Sequence, residues 1–181
     1  VIKDTFAFLW SRTELDRKLS ELLESEEWQP FIVFPHEYAG EGREVFVNQL
    51  PDMRCKSDFQ QPLKAKRPLF VLLDGSWREA KKMFRKSPYL DKYPVISFQP
   101  DMSDGTEVSH YIRESMKNNQ LATAEVAANM LSLWGEHDNA KLLATWFDVF
   151  NYQYQLSVCQ VNKGDASALA RLKSLSSGET S

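Results

Sequence analysis

The residues best placed to do chemistry are Asp74-Gly75-Ser76-Trp77, which follow the apolar run Leu69–Leu73 and precede a stretch with helical spacing. A carboxylate at the end of a strand, partly shielded by an indole, can act as a general base near neutral pH. Strand ends are also where loops and helix N-termini converge on a ligand. The plainer role of Asp74 or Ser76 is to cap the helix by accepting from its free N–H groups, and the two roles are compatible. Along the helix, Arg78, Lys81, Lys82, Arg85 and Lys86 recur at i, i+3, i+4, i+7 and i+8, whereas Trp77, Ala80, Met83 and Phe84 fall on the other face. Glu79 is the one acid in this stretch. Solubilising faces usually intersperse acids, so the stripe reads more readily as a surface for phosphate.

The charge is local. Between Lys64 and Lys92, nine basic residues stand against three acids, a net +6 in a chain whose overall charge is −3. Any nucleic-acid contact must therefore come from this cluster rather than from the chain as a whole. Cys55 and Cys159 lie far apart with no metal-ligand spacing, which argues against a disulfide framework or a zinc site and fits a reducing cytoplasm. No apolar run approaches the ~20 residues that span a bilayer, and no secretion signal opens the chain, so a soluble, cytoplasmic protein with no membrane partner is expected.

The elements that must position these residues follow from the hydrophobic pattern. Thr5–Leu9 reads as a strand, and Thr13 with Asp16 as a helix start followed by a Leu15, Leu19, Leu22, Leu23 stripe. Phe31–Phe34 is a continuous apolar run that suits a strand covered on both faces, and Glu44–Val47 follows a Gly40-Glu41-Gly42 turn as another strand. Pro51 to Arg67 reads as a polar surface loop. Pro68–Leu73, a helix from Ser76 to about Lys86, and Val95–Phe98 form a βαβ unit, for which a right-handed crossover is expected. Gln99–Gly105 is loop-like, and His110–Gln120 fits a short helix or an irregular connection equally well.

Thr123 can cap a helix with an Ala124, Ala127, Ala128, Leu131, Trp134 stripe that ends near Gly135. A further helix from about Asn139 to Val158 is expected to bury Leu142, Leu143, Trp146, Phe147, Phe150 and Tyr154. The whole reads as α/β, a mostly parallel sheet flanked by helices, with one domain over 1–161 and a tail over 162–181. The tail is expected to hold one helical turn around Ala166–Leu172 and disorder from Ser176 onward.

Other candidates are weaker on spacing alone. Tyr111 and Arg113 can stack on or grip a ligand, or form an ordinary surface pair. Thr123 and Glu125 sit in a first helical turn, where the helix dipole already favours an acid and cofactor contact is the sharper alternative. His36, His110 and His137 are scattered and read as non-catalytic. Gly75 stands alone, so there is no Gly-rich phosphate loop.

Three ordered blocks carry a resemblance. Leu72-Leu73-Asp74-Gly75-Ser76-Trp77 with Ala80 and Met83, then Phe84–Leu90, then Leu121–Ala127 resemble the DTW-domain family of tRNA-uridine aminocarboxypropyltransferases. Trp10-Ser11-Arg12-Thr13 and Val33-Phe34-Pro35 are similar to its upstream blocks, and the likeness runs from Asp4 to Tyr154. The resemblance implies transfer of the 3-amino-3-carboxypropyl group of S-adenosylmethionine to N3 of a tRNA uridine, with methylthioadenosine released and no metal within this chain. It also implies a SPOUT-like fold that can carry a trefoil knot. In that frame Asp74 is the base, and Ser76 and Trp77 line the pocket. Ile96, Ser97, Tyr111, Leu121, Ala122, Thr123 and Glu125 contact the cofactor, while Arg12, Arg78, Lys81, Lys82, Arg85, Lys86 and Arg113 contact tRNA.

Two departures stand out. Ser76 replaces the family's Thr and keeps the hydroxyl. The family's Cys-rich N-terminal segment and a further cofactor-contacting loop do not precede the first matched block, so the chain is expected to be N-terminally incomplete, with an incomplete cofactor site. Two alternatives remain at this point: a SPOUT-like RNA methyltransferase, and a non-catalytic RNA-binding module.

Overall fold

A computed structural model of the chain describes residues 2–51, 53, 66–98, 122–158 and 161–177. By its internal contacts the chain divides into two compact units, Lys3–Thr123 and Ala124–Ser181 with Val1–Ile2. Among the described residues no helix is long and apolar enough to cross a membrane.

The first unit is α/β. Helix α1 (Arg17–Glu24) leads to strand β1 (Trp28–Val33), a 3-10 turn at His36–Tyr38 and β2 (Val45–Val47). Then come β3 (Arg67–Val71), α2 (Trp77–Arg85), a second 3-10 turn at Pro88–Leu90 and β4 (Val95–Ser97). The described strands form one sheet in the order β2-β4-β1-β3. Every pairing is parallel: β1 with β3, β1 with β4, and β2 with β4. β1 is therefore central and buried on both faces, with Phe31, Ile32, Val33 and Phe34 all in the core, as the unbroken apolar run predicts.

Two prolines fit the ladder because of where their missing N–H groups would point. Ile32 and Phe34 donate toward the β4 side, to Pro94 O and Ile96 O. Pro30, two residues earlier, faces that same side before β4 pairing begins at Ile32. Arg67 N–H donates inward to Glu27 O, so the next residue, Pro68, faces the outer edge of the sheet, where no ladder donor is needed.

One face of the sheet packs Ile32, Phe34 and Val95 with Leu23 of α1 and Ala80 and Phe84 of α2. On alternate positions Phe31 meets Phe46 edge-on at 6.0 Å and Phe70 at 6.4 Å.

Two expectations change in this unit. Thr5–Leu9 is not a strand. It carries no strand geometry and leaves Leu9 95% exposed, and the segment is anchored by Trp10, whose Nε1–H donates to the buried Ser87 hydroxyl at 2.9 Å. α1 begins three residues later than the Thr13 start predicts, because Asp16 is the cap and accepts from Lys18 and Leu19 N–H. The parts of the Pro51–Arg67 loop beyond 51, 53, 66 and 67, and all of the Gln99–Gly105 and His110–Gln120 stretches, lie outside the described residues.

The second unit is helical: α3 (Thr123–Leu133, its first residue belonging to the first unit), α4 (His137–Val158) and α5 (Ala168–Ser177). α3 ends in a Schellman motif, with Gly135 at φ +91°, Gly135 N–H on Ser132 O and Glu136 N–H on Leu131 O. Its buried residues are Glu125, Ala128, Asn129 and Met130, so that of the expected stripe only Ala128 is buried, while Trp134 is exposed. An Ala-rich helix has a weak hydrophobic bias, so two polar residues one turn apart can occupy its covered face.

On α4, Trp146, Phe150 and Tyr154 are also not buried. They stack on one another at i, i+4 and i+8, with centroids 6.3 and 6.1 Å apart, and stay more than a third exposed. Their aromatic faces are satisfied by neighbours on the same helix rather than by a core. The expected tail is instead largely a ten-residue helix that includes Ser176 and Ser177. It is tied to α4 by Arg171, which pairs with Asp148 at 2.9 Å and with Asp165.

The turn into α5 is tight. Asn162 Nδ2 donates to Tyr152 O and Gly164 N–H donates to Asn162 Oδ1. A Cβ on Gly164 would lie 2.9 Å from the Tyr152 Cα, and backbone cannot yield as a flexible side chain can. Gly164→Ala is expected to lower the unfolding free energy by about 1–3 kcal/mol, measured by urea denaturation. An unchanged midpoint would show that the turn relaxes freely.

Candidate functional site at the carboxyl edge of the sheet

Because all described strands run parallel, their carboxyl ends share one edge, and the residues that follow β1, β3 and β4 meet there. Asp74 stands three residues beyond β3 and is exposed. Its Oδ1 accepts a hydrogen bond from the Thr123 hydroxyl at 2.7 Å. Residues 49 positions apart, the candidate base and a candidate cofactor contact, are thus joined directly. Asp74 Oδ2 accepts no hydrogen bond from a described residue.

Capping falls to other residues. Ser76 is the N-cap of α2, and Glu79 turns back to it. The Ser76 hydroxyl donates to Glu79 Oε2 at 2.5 Å, and the Ser76 N–H donates to the same oxygen at 2.9 Å. Gly75 makes room for this return, since a Cβ there would lie 3.2 Å from Glu79 Cβ and 3.4 Å from Oε2. The two bonds from Ser76, with the charge of Lys82, hold the Glu79 carboxyl below its ordinary value against opposing desolvation. Asp74 is therefore relieved of capping, and Ser76 spends its hydroxyl inside the helix start rather than toward a ligand. Thr123 likewise does not cap α3: it is the first helical residue, and its hydroxyl is committed to Asp74.

Trp77 does not shield Asp74 as its position suggests. Its indole stacks on Phe34 at 5.4 Å and 15°, meets Tyr38 edge-on at 5.6 Å, and remains 39% exposed. Phe34 also stacks on Phe84 at 4.3 Å, so the indole is braced from the core outward.

Ile96 and Ser97 are buried in β4 at the same edge. Their carbonyls accept from Phe34 and Asn48 N–H, and Ser97 Oγ accepts from His36 N–H at 3.1 Å. Each carbonyl already accepts one hydrogen bond and keeps a second lone pair. Ala122 directly precedes Thr123. Glu125, one turn into α3, is 8% exposed. Tyr111, Leu121 and Arg113 lie outside the described residues.

The basic stripe on α2 divides in two. Lys81 and Arg85 line a cleft with Phe34, Tyr38, Phe84 and the 40–43 loop. Lys82 leans the other way, with Nζ 5.9 Å from the Trp10 ring. That contact and the Trp10–Ser87 bond place the segment carrying the exposed Arg12 beside the C-terminal half of α2. Arg78 is exposed, and Lys86 is the C-cap of α2.

Tyr38 and Arg43 were not legible as site residues, because no periodicity marks a loop aromatic or a loop arginine. The one available signal was that Tyr38 follows a strand end. Arg43 donates to Leu90 O and Tyr93 O at 2.7 and 2.8 Å, lies over the Phe84 ring and faces Asp91 at 3.6 Å. Burial pushes its guanidinium below its ordinary value, partly offset by Asp91. It staples the 40–43 loop to the turn before β4.

The sequence model of the DTW domain matches residues 1–155, which takes in every element from α1 through most of α4. The chain belongs to the DTW-domain family. This family is linked to tRNA modification, and in this DTW protein one block that carries the resemblance reads Asp74-Gly75-Ser76-Trp77. The structure assigns its members separate duties: Asp74 faces outward to Thr123, Ser76 caps, and Trp77 packs. No solved structure matches the chain.

The cap yields a pH prediction. A carboxyl depressed in the folded state stabilises the fold fully above its unfolded value and loses that contribution as pH falls through the folded one. Ser76→Ala should lower the thermal midpoint by a few degrees at neutral pH. The gap from wild type should close in acid once Glu79 is protonated. A gap that persists in acid, read by circular dichroism melts across pH, would assign the loss to the hydroxyl alone.

Proposed function

We propose that this chain transfers the 3-amino-3-carboxypropyl group of S-adenosylmethionine to N3 of a uridine in tRNA, releasing methylthioadenosine. The observation that carries this reading is the Asp74–Thr123 hydrogen bond at the carboxyl edge of the sheet, in a chain whose family is linked to tRNA modification. A SPOUT-like fold with the knot that the resemblance implies belongs to the same proposal and is supported by the all-parallel sheet.

The donor chemistry fits such a co-substrate. A carboxylate suits a cationic sulfonium or ammonium group, and the edge carrying it is lined by the buried Ser97 and by Thr123. S-adenosylmethionine supplies a carbon already activated for substitution. The chain's own task is then alignment and removal of one proton. Thr123 fixes Asp74 through Oδ1, which leaves Oδ2 to take the uracil N3 proton as the new N–C bond forms and the C–S bond breaks. Exposure of Asp74 is consistent with a base that must reach a polymer arriving from solvent. Exposed cations at Arg12, Arg78, Lys82 and Arg85 supply the complementary field for that polymer.

Incubating the full chain with S-adenosylmethionine and unmodified tRNA is expected to yield methylthioadenosine, read by chromatography. Adenosylhomocysteine in its place would mean methyl transfer. No turnover together with no thermal response to S-adenosylmethionine would mean a binding module. Asp74→Asn keeps an acceptor for Thr123 but removes the base, so turnover should fall by about 10²–10⁴-fold while tRNA affinity stays within a few-fold. Thr123→Val should cost up to about 10²-fold by letting the carboxylate drift. Full activity in Asp74→Asn would move the proton elsewhere.

A further inference from the structure

The cleft beside α2 has a composition that proton abstraction does not require. It encloses about 710 Å³, within the ~300–1,000 Å³ typical of ligand sites, and all of its lining belongs to the first unit. Two features bear on it: an aromatic corner where Tyr38 of the lining meets Trp77 just outside it, and the lining cations Lys81 and Arg85, which have no carboxylate partner among the described residues.

Tyr38 and Trp77 stand with their planes 77° apart, 38% and 39% exposed, and both are braced from behind by Phe34. Large rings left this open on a rigid support are stacking surfaces. The Lys81 ammonium rests over both, 4.7 Å from the Tyr38 centroid and 4.9 Å from the Trp77 centroid. A cation on an exposed ring is held weakly, and a phosphate oxygen competes well for it. Among the described residues, neither Lys81 nor Arg85 has a carboxylate partner, whereas Asp91 at the same cleft is already faced by Arg43. Gly40 and Gly42 form part of the wall, and among the described residues no atom lies within 4 Å of where their Cβ atoms would be.

We propose that this cleft seats one unstacked nucleotide of single-stranded RNA, its base on the Tyr38 and Trp77 rings and its phosphate between Lys81 and Arg85. In the exchange Lys81 leaves the ring faces for the phosphate and so uncovers them for the base. The charges favour a phosphodiester over a free nucleoside triphosphate: Lys81 and Arg85, without a carboxylate partner among the described residues, match one singly charged phosphate, and Glu41 and Asp91 at the same cleft disfavour the denser charge of a triphosphate. A base can reach the corner only when it has left its stack, which selects single strands and loops over duplex. The proposal rests on the tRNA reading only in taking RNA as the polymer.

The test is fluorescence anisotropy of the full chain with a mixed-sequence single-stranded oligoribonucleotide and with a hairpin of equal phosphate number, both without S-adenosylmethionine. Tyr38→Leu should weaken single-strand binding by about 5- to 150-fold, leave hairpin binding within twofold and leave the salt slope unchanged. Tyr38→Phe should retain binding. Lys81→Met should reduce the single-strand salt slope by about 0.7. Gly40→Glu, whose Cβ meets no described atom within 4 Å, should selectively weaken the single strand even if a Tyr38 variant folds poorly.

Equal losses for both RNAs, or single-strand affinity unchanged in Tyr38→Leu and Gly40→Glu, would overturn the proposal. Methylthioadenosine production by wild type alongside such unchanged affinity would remove the cleft and keep the transferase. Selective loss of the single strand in a chain that makes no methylthioadenosine would do the reverse.

Discussion

Parallel pairing of four short strands is the constraint from which the rest follows. Because β1 aligns parallel with both β3 and β4, and β2 with β4, every chain crossing returns its carboxyl end to one edge. Asp74, Ser97 and the Phe34–Tyr38 turn become neighbours there without any sequence proximity. The same pairing explains why β1 tolerates no polar residue from Phe31 to Phe34 and why its proline stands where no second strand has yet joined.

At that edge, one helix start resolves a competition between two jobs. A helix N-terminus needs acceptors for its free N–H groups, and Asp74 is close enough in sequence to be drawn into that role. Glu79 and Ser76 satisfy the helix start between themselves, across the gap that Gly75 leaves open. The carboxylate ahead of them is then available to a distant hydroxyl, Thr123. The helix start and the outward-facing carboxylate thus occupy adjacent residues without sharing a side chain.

The cations of α2 show how packing sorts a uniform stripe. On a bare helix the five basic residues are equivalent. Against this fold, Lys81 is drawn onto two aromatic rings, Lys82 toward Trp10, and Arg85 to the cleft rim. An overall acidic chain thereby gathers its described basic stripe on one helix that starts at the carboxyl edge.

Much of this was legible in the chain itself. The apolar runs at Phe31–Phe34 and Leu69–Leu73, the strand after Pro94, the basic helix and the Gly135 stop all appear where local pattern places them, because burial on both faces, helical period and glycine conformation are encoded by neighbours in sequence. Membership of the DTW family was equally readable from the three ordered blocks. Thr5–Leu9, the α3 stripe and the α4 aromatics went differently, because an apolar residue does not say whether it will find a ladder partner, a core, or another ring on its own helix. That Thr123 serves Asp74 rather than its helix, that Trp77 stacks on Phe34 and meets Tyr38, and that Arg43 closes the back of a cleft depend on contacts spanning 39 to 50 positions. Such contacts exist only once the sheet has brought the strand ends together, and tertiary structure alone decided them.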